Sequence, residues 1–303
     1  DESKEARRGA ELLCRENRSF IFGRDRFFSG LDEIVEILDE PINDPASIPL
    51  LFLCQNAREE GFKVLFSGDG GDELFLGYAF YQKLREFEHI KHLPFKAWLK
   101  NYMSANKAQN REWEWYRRAL SGEFIYRNIA ECFSDLQLTQ LLRFDVDEHR
   151  TKESLSTLLR VFDGEKDEIK WAQFADIYHH LSEVLLAKGD RVGMASGVEI
   201  RSPFMDKELV EFGLNLHNDI KLDSTQTKPL LRALLEKRAN AEIAYRKKKG
   251  FSYPFLEWLD SSGELETIDR VNKNIGFFNE GALGFLKKQV KKGNLKRQIF
   301  GLY

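Results

Sequence analysis

The stretch FSGDGGDELFLGY, residues 66–78, carries the residue types best suited to chemistry: Gly68, Gly70 and Gly71 interleaved with Asp69, Asp72 and Glu73. Glycines let the backbone take positive φ and come close to a ligand. Successive N–H groups running into a helix N-terminus favour an anion such as phosphate. Three acids beside a phosphate oppose that use unless a divalent cation stands between them. Mg2+ takes one or two carboxylates together with phosphate oxygens, so the combination reads as a corner for a magnesium nucleotide. The spacing fits a plainer use equally well: a tight turn over Ser67–Gly71, with Asp72 and Glu73 favouring the first turn of a helix. No Walker lysine follows the glycines and no GxGxxG occurs, so neither the P-loop nor the dinucleotide fingerprint is supported.

Such a corner belongs where a strand ends and a helix begins. The apolar run over residues 63–67 predicts that strand, and helical periodicity is expected on either side of it. Residues 2–17 have helical spacing and are followed by SFIFGR, a strand candidate. Residues 27–38 are again helical in period, with Ser29 as the expected N-cap. The Pro-rich stretch 39–49 forces a loop, and residues 50–60 predict a helix ending at Gly61. Strands alternating with helices over 1–85 imply parallel β-sheet. From 86 to 303 the pattern is mainly helical, with long stretches in NREWEWYRRAL, SLSTLLRVF, EIKWAQFADIYHHLSEVLLAK and TKPLLRALLEKR. No repeat, low-complexity tract or flexible linker interrupts it.

At 303 residues with a formal net charge of −3, the chain has no global field suited to nucleic acid or to a membrane surface. Cys14, Cys54 and Cys132 are odd in number and widely spaced, which fits reduced thiols rather than a disulfide framework. No apolar stretch approaches the length of a membrane span and no signal peptide is evident, so a cytoplasmic location is expected. The six histidines lack ligand spacing; His179 and His180 are adjacent and expected to be structural. The chain opens inside a helical pattern without Met and reads as part of something longer.

Four ordered blocks over about 220 residues resemble the synthetase domain of the asparagine synthetase family. SGDGGDELFLGY is similar to SGxGxDExFGGY, and DEPINDPASIP to DEPxADPSAIP. LLAKGDRVGMASGVEIRSPFMD (185–206) resembles LLxKxDRMSMAxSLExRVPFLD. TKPLLRALL followed by RKKKGFSYPFLEWL resembles KxLLRxA and RxKxGFxxPxxxW. The resemblance implies an α/β fold of the adenine nucleotide α-hydrolase type, with a parallel sheet, flanking helices and a mostly helical C-terminal part. It also implies ATP and Mg2+ as cofactors. Asp72 would hold the metal on pyrophosphate, and Ser67, Gly68, Asp69, Gly70 and Gly71 would lie along the nucleotide and adenylate. Asp69 would sit near the amine, although relatives often carry Glu there; Leu76 likewise replaces a usual glycine. Lys248 would face the reacting phosphate. Read by itself, RKKKG is a solvated charge run, and Lys247 or Lys249 are alternatives for the inward lysine.

Glu199 and Arg201 alternate about Ile200, which puts them on one face of an extended segment, where a buried ion pair bordering the site is expected. Glu73, Lys188, Asp190, Arg191 and Lys228 complete the expected border. The family's N-terminal glutaminase domain and its SGGxDS pyrophosphate loop are not found in the sequence; FSGLDE lacks the second glycine and final serine. The expected function is therefore an ATP-dependent amidotransferase acting on a small carboxylate, aspartate first. Its ammonia would come from a glutaminase domain or another source, a homodimer is compatible, and this fragment alone is expected to be inactive. The alternatives are a relative acting on a sugar or peptide carboxylate, and a non-catalytic scaffold.

Overall fold

A computed structural model describes residues 3–107, 111–122, 125–126, 132–145, 150–162, 167–223, 225–246, 253–292 and 296–302. The backbone divides into two compact units. The first comprises 1–39, 46–82 and 185–253; the second comprises 40–45, 83–184 and 254–303. Both are discontinuous in sequence. The reason lies in the sheet: β1 (Val64–Phe66) pairs in parallel with β2 (Glu199–Arg201), so the strand late in the chain belongs with the early one. Parallel neighbours require a long crossover, and here it spans more than a hundred residues.

In the first unit, helices α1 (Ser3–Leu12), α2 (Arg24–Leu38) and α3 (Ser47–Glu59) precede β1, and α4 (Gly71–Leu74) follows it. α2 and α3 pack so closely that a Cβ on Gly30 would lie 2.8 Å from Ile48 Cγ2. The helix Ala187–Ala195 covers the sheet. There Gly193 lets it approach β2, since a Cβ would fall 2.6 Å from the Val198 carbonyl and 3.1 Å from Ile200. Phe27, Leu31, Ile34, Ile48, Leu51, Cys54, Val192 and Val198 form the buried core between these helices.

Three expectations from the pattern are corrected. SFIFGR is not a strand: Ile21 is 93% exposed, and with no paired neighbour an apolar run has nothing to hold it extended. Ser29 is not an N-cap but lies inside α2, which starts at Arg24 after Gly23; its hydroxyl donates back to the Arg26 carbonyl at 3.2 Å. Pro49 does not exclude helix, because it falls in the first turn of α3, where its missing N–H costs nothing.

In the second unit the described elements are helical. Phe162, Trp171 and Phe174 form an aromatic cluster, and Phe87 packs edge-on against Tyr116 at 5.1 Å. Tyr126 donates its hydroxyl to Asp176 at 3.1 Å, and Ser134 and Gln137 form a reciprocal capping box. The helix expected over 168–188 is present as Glu168–Ala175 and the π-helical segment Asp176–Leu186, continuing into Ala187–Ala195. No helix among the described residues is long and apolar enough to cross a membrane.

Candidate nucleotide site

The glycine turn stands at the carboxyl end of β1, the position at which α/β sheets bind ligands. Parallel pairing carries one step past the strand: the Ser67 N–H donates to the Arg201 carbonyl at 2.8 Å. The chain then turns through Gly68 and Asp69 to Gly70, whose φ of 86° and ψ of −20° are left-handed, and enters α4 at Gly71. The left-handed φ calls for glycine at Gly70, and the space around both glycines is tight. A Cβ on Gly70 would lie 2.4 Å from Met205 Cε, and one on Gly71 would lie 3.0 Å from the Phe204 ring. The Ser202 hydroxyl donates to the Asp69 carbonyl and fixes the turn from the other side. Ser202 was missed as a contributor, although it lies within the SPFMD run that follows β2.

Asp72 and Glu73 part company at the start of α4. Glu73 is 1% exposed and accepts from the Tyr78 hydroxyl, so it is a buried structural acid. Asp72 keeps 23% of its side chain exposed and accepts from Lys228 Nζ at 2.6 Å; Lys228 is equally exposed. Lys228 precedes the helix Pro229–Arg238 in a left-handed conformation, φ 57° and ψ 46°. It is carried there by a turn in which Asp223 accepts from the Thr225 N–H at 2.6 Å, the Thr225 hydroxyl at 2.8 Å and the Gln226 N–H at 2.7 Å. Those bonds, the Thr225 hydroxyl foremost, lower the Asp223 pKa to about 2.

The remaining expected residues divide. Glu199 and Arg201 pair as predicted, at 2.8 and 3.1 Å, but the pair is exposed rather than buried: 53% and 57% of the side chains are open to solvent. They share the outward face of the sheet with Val64 and Phe66, and Phe66 is 75% exposed. The hydrogen bond and charge of Arg201 lower the Glu199 pKa, while Glu199 raises that of Arg201. The backbone of Arg201 meets the turn; its side chain does not. Arg191 donates to the Leu38 carbonyl and ties the Ala187–Ala195 helix to the end of α2, a structural use. Lys188 is buried in that helix and Asp190 is exposed on it. Lys248, with Lys247 and Lys249, lies outside the described residues.

Two features fit a nucleotide with a bound metal. Ser67 Oγ is shut off from solvent and has no hydrogen-bond partner among the described residues, an unused polar atom at the head of the turn. Among the described residues no cluster of three or more His, Cys, Asp or Glu side chains could hold a metal by itself. Asp72 offers a single partly open carboxylate, which matches Mg2+ held chiefly by phosphate oxygens and water.

A parallel strand pair running into a glycine turn, with helices on either side in sequence, makes this an α/β protein. The family follows from comparison: a model described as Asparagine synthase matches residues 1–293, and the chain belongs to that family. Over 260 residues it is 32% identical to a putative asparagine synthetase [glutamine-hydrolyzing] of Mycobacterium tuberculosis strain H37Rv, covering 84% of this chain and 39% of that protein. It is 28% identical over 257 residues to asparagine synthetase [glutamine-hydrolyzing] 1 of Bacillus subtilis strain 168, covering 84% of this chain and 40% of that one. Amidase chyE of Penicillium rubens is 24% identical over 336 residues, 100% of this chain and 49% of its own length. The chain thus spans about two fifths of the first two of these relatives.

Proposed function

We propose that the protein carrying this chain is an ATP-dependent amidotransferase that activates a carboxylate and amidates it, with aspartate the first substrate to test. In the reaction a substrate carboxylate oxygen bonds to the α-phosphorus of ATP as the bond to pyrophosphate breaks. Ammonia then attacks the acyl carbon, AMP leaves with the carboxylate oxygen, and ammonia's surplus proton passes to solvent or a base. The chain's part is positioning and charge control. The turn over Gly68–Gly70 would offer its backbone N–H groups to the nucleotide, the Ser67 hydroxyl, unpartnered among the described residues, stands at its head, and Asp69 borders the place of the incoming amine. Asp72 would hold the metal, which would supply charge neutralisation on the pyrophosphate. Lys228 adds a cation on the same side, and Lys248 is proposed to face the reacting phosphate. A preorganised donor aimed at developing charge in such a site is worth about 3 to 4 kcal/mol.

The observation that carries this reading is the partly open Asp72 carboxylate at a glycine turn whose Ser67 hydroxyl has no partner among the described residues. A glutaminase domain as ammonia source and a cytoplasmic setting belong to the same proposal, and so does the inactivity of this stretch by itself. A second reading changes only the acceptor, and the names of two relatives, both amidases, show that asparagine synthetase is not the one name among the chain's relatives. Pyrophosphate release, measured with the full-length protein, MgATP, ammonia and a panel of carboxylic acids, separates the two. Release stimulated by aspartate supports the first; stimulation by another acid alone supports the second. No release with any acid overturns both in favour of a scaffold.

A further inference from the structure

We infer that Lys228 is an exchangeable counter-ion for Asp72: it occupies the carboxylate until a metal arrives with the nucleotide, then transfers its contact to the phosphates. The inference rests on the nucleotide reading above and adds an order of events to it.

The two ends of the contact differ in freedom. Asp72 Oδ1 fills the space that a Cβ on Gly77 would take, 1.8 Å away, and the Asp72 backbone is held by the Gly77 N–H, which donates to its carbonyl at 2.7 Å. The Lys228 backbone is also held. The antiparallel bridge Leu222–Thr227 lies just before it, Arg232 donates to the Thr227 carbonyl at 2.9 Å and to the Ala244 carbonyl at 2.6 Å, and the Arg232 N–H donates to the Lys228 carbonyl at 3.0 Å. A non-glycine residue held left-handed immediately before proline is a sparsely populated state, maintained only because both flanks impose it. What stays movable is the four-carbon stem of the lysine, which ends in a point charge that can turn without moving its root.

Charge then decides what the contact does. An Asp72 charge left unopposed would repel a triphosphate, and the Lys228 ammonium offsets it. A metal that takes Oδ1 on the side where Lys228 Nζ sits at 2.6 Å requires the ammonium to leave, and that is the exchange inferred. Because its backbone is fixed, the displaced cation remains beside the incoming phosphates. The same contact also makes the site a poor binder of free metal, so the metal enters with its nucleotide.

The test uses the full-length protein and two probes applied separately: free Mn2+, followed by electron paramagnetic resonance, and ATP in excess EDTA, followed by calorimetry. Lys228→Met is expected to tighten free Mn2+ about tenfold and weaken metal-free ATP about tenfold, a split in sign that misfolding or loosening of the site cannot produce. Lys228→Arg keeps the cation and should hold both affinities near wild type. Asp72→Asn, which leaves the lysine in place, should do the reverse of Lys228→Met: weaker Mn2+ and tighter metal-free ATP. This second variant also carries the test if Lys228→Met does not fold. Affinities that move together, or not at all, in variants that still bind nucleotide overturn the exchange and leave the functional reading standing. A wild-type protein that binds no nucleotide overturns both.

Discussion

Gly77 and Asp72 share one small space: the Gly77 N–H donates to the Asp72 carbonyl at 2.7 Å, and the position of a Cβ on Gly77 falls 1.8 Å from Asp72 Oδ1. The glycine is there for the carboxylate, since an added methyl would also lie 2.9 Å from the Asp72 Cα, a backbone atom that cannot rotate away.

Gly77→Ala is therefore expected to push the Asp72 carboxylate out of its seat against Lys228. Crowding of this kind in a packed place costs about 1 to 3 kcal/mol. Thermal unfolding should show a lower midpoint, and MgATP affinity should fall in parallel. A variant with wild-type stability and wild-type affinity would mean that the space is not needed.

Much of this arrangement is legible in the sequence, and the missing parts have physical causes. The strand Val64–Phe66, the glycine turn and the helix entered at Gly71 follow from local pattern, because a short apolar run, glycine φ and acids at a helix start are all properties of neighbours in sequence. The separate fates of Asp72 and Glu73 do not follow. One is turned outward to Lys228 and the other inward to Tyr78, and only the tertiary wrapping of the turn decides which. Glu199 and Arg201 show the converse. Their pairing follows from alternation along β2, but burial of the pair requires a covering layer, and their face of the sheet carries the exposed Phe66. SFIFGR failed for a related reason: an apolar run specifies a strand only when another strand lies beside it. The contribution of Ser202 was hidden because its target is a backbone carbonyl, which no sequence motif marks.

The Asp223 turn makes the placement of Lys228 sensitive to acid. The Asp223 pKa is lowered to about 2, chiefly by the Thr225 hydroxyl and then by the Thr225 and Gln226 N–H groups, against about 3.9 in an unfolded chain. A depressed carboxylate contributes stability that is fully present above the unfolded value and is lost as pH falls through the folded one. Between about pH 4 and pH 2 the amides of Thr225 and Gln226 should thus lose protection from hydrogen exchange, after correction for the intrinsic rate. Asp223→Ala should abolish that protection already at neutral pH and remove its acid dependence, and it should weaken MgATP binding by freeing the segment that carries Lys228. Unaltered protection in Asp223→Ala would show that other contacts set the turn.

The cysteines give a test of the core of the first unit that is independent of any ligand. Cys54 lies on α3 with 0% exposure, and burial raises its pKa to about 11, so at neutral pH it is neither reachable nor ionised. Cys14 is exposed just beyond α1. Reaction requires the thiolate, so a small alkylating reagent should label Cys14 within the native protein and leave Cys54 untouched until unfolding. Mass spectrometry of peptides after timed labelling distinguishes the two. Denaturant should bring Cys54 labelling in step with the loss of helical signal, because its protection depends on the packing of α2, α3 and the Ala187–Ala195 helix that also supports β2. Early labelling of Cys54 in native conditions would mean that this packing opens without global unfolding, and the seat of the glycine turn would open with it.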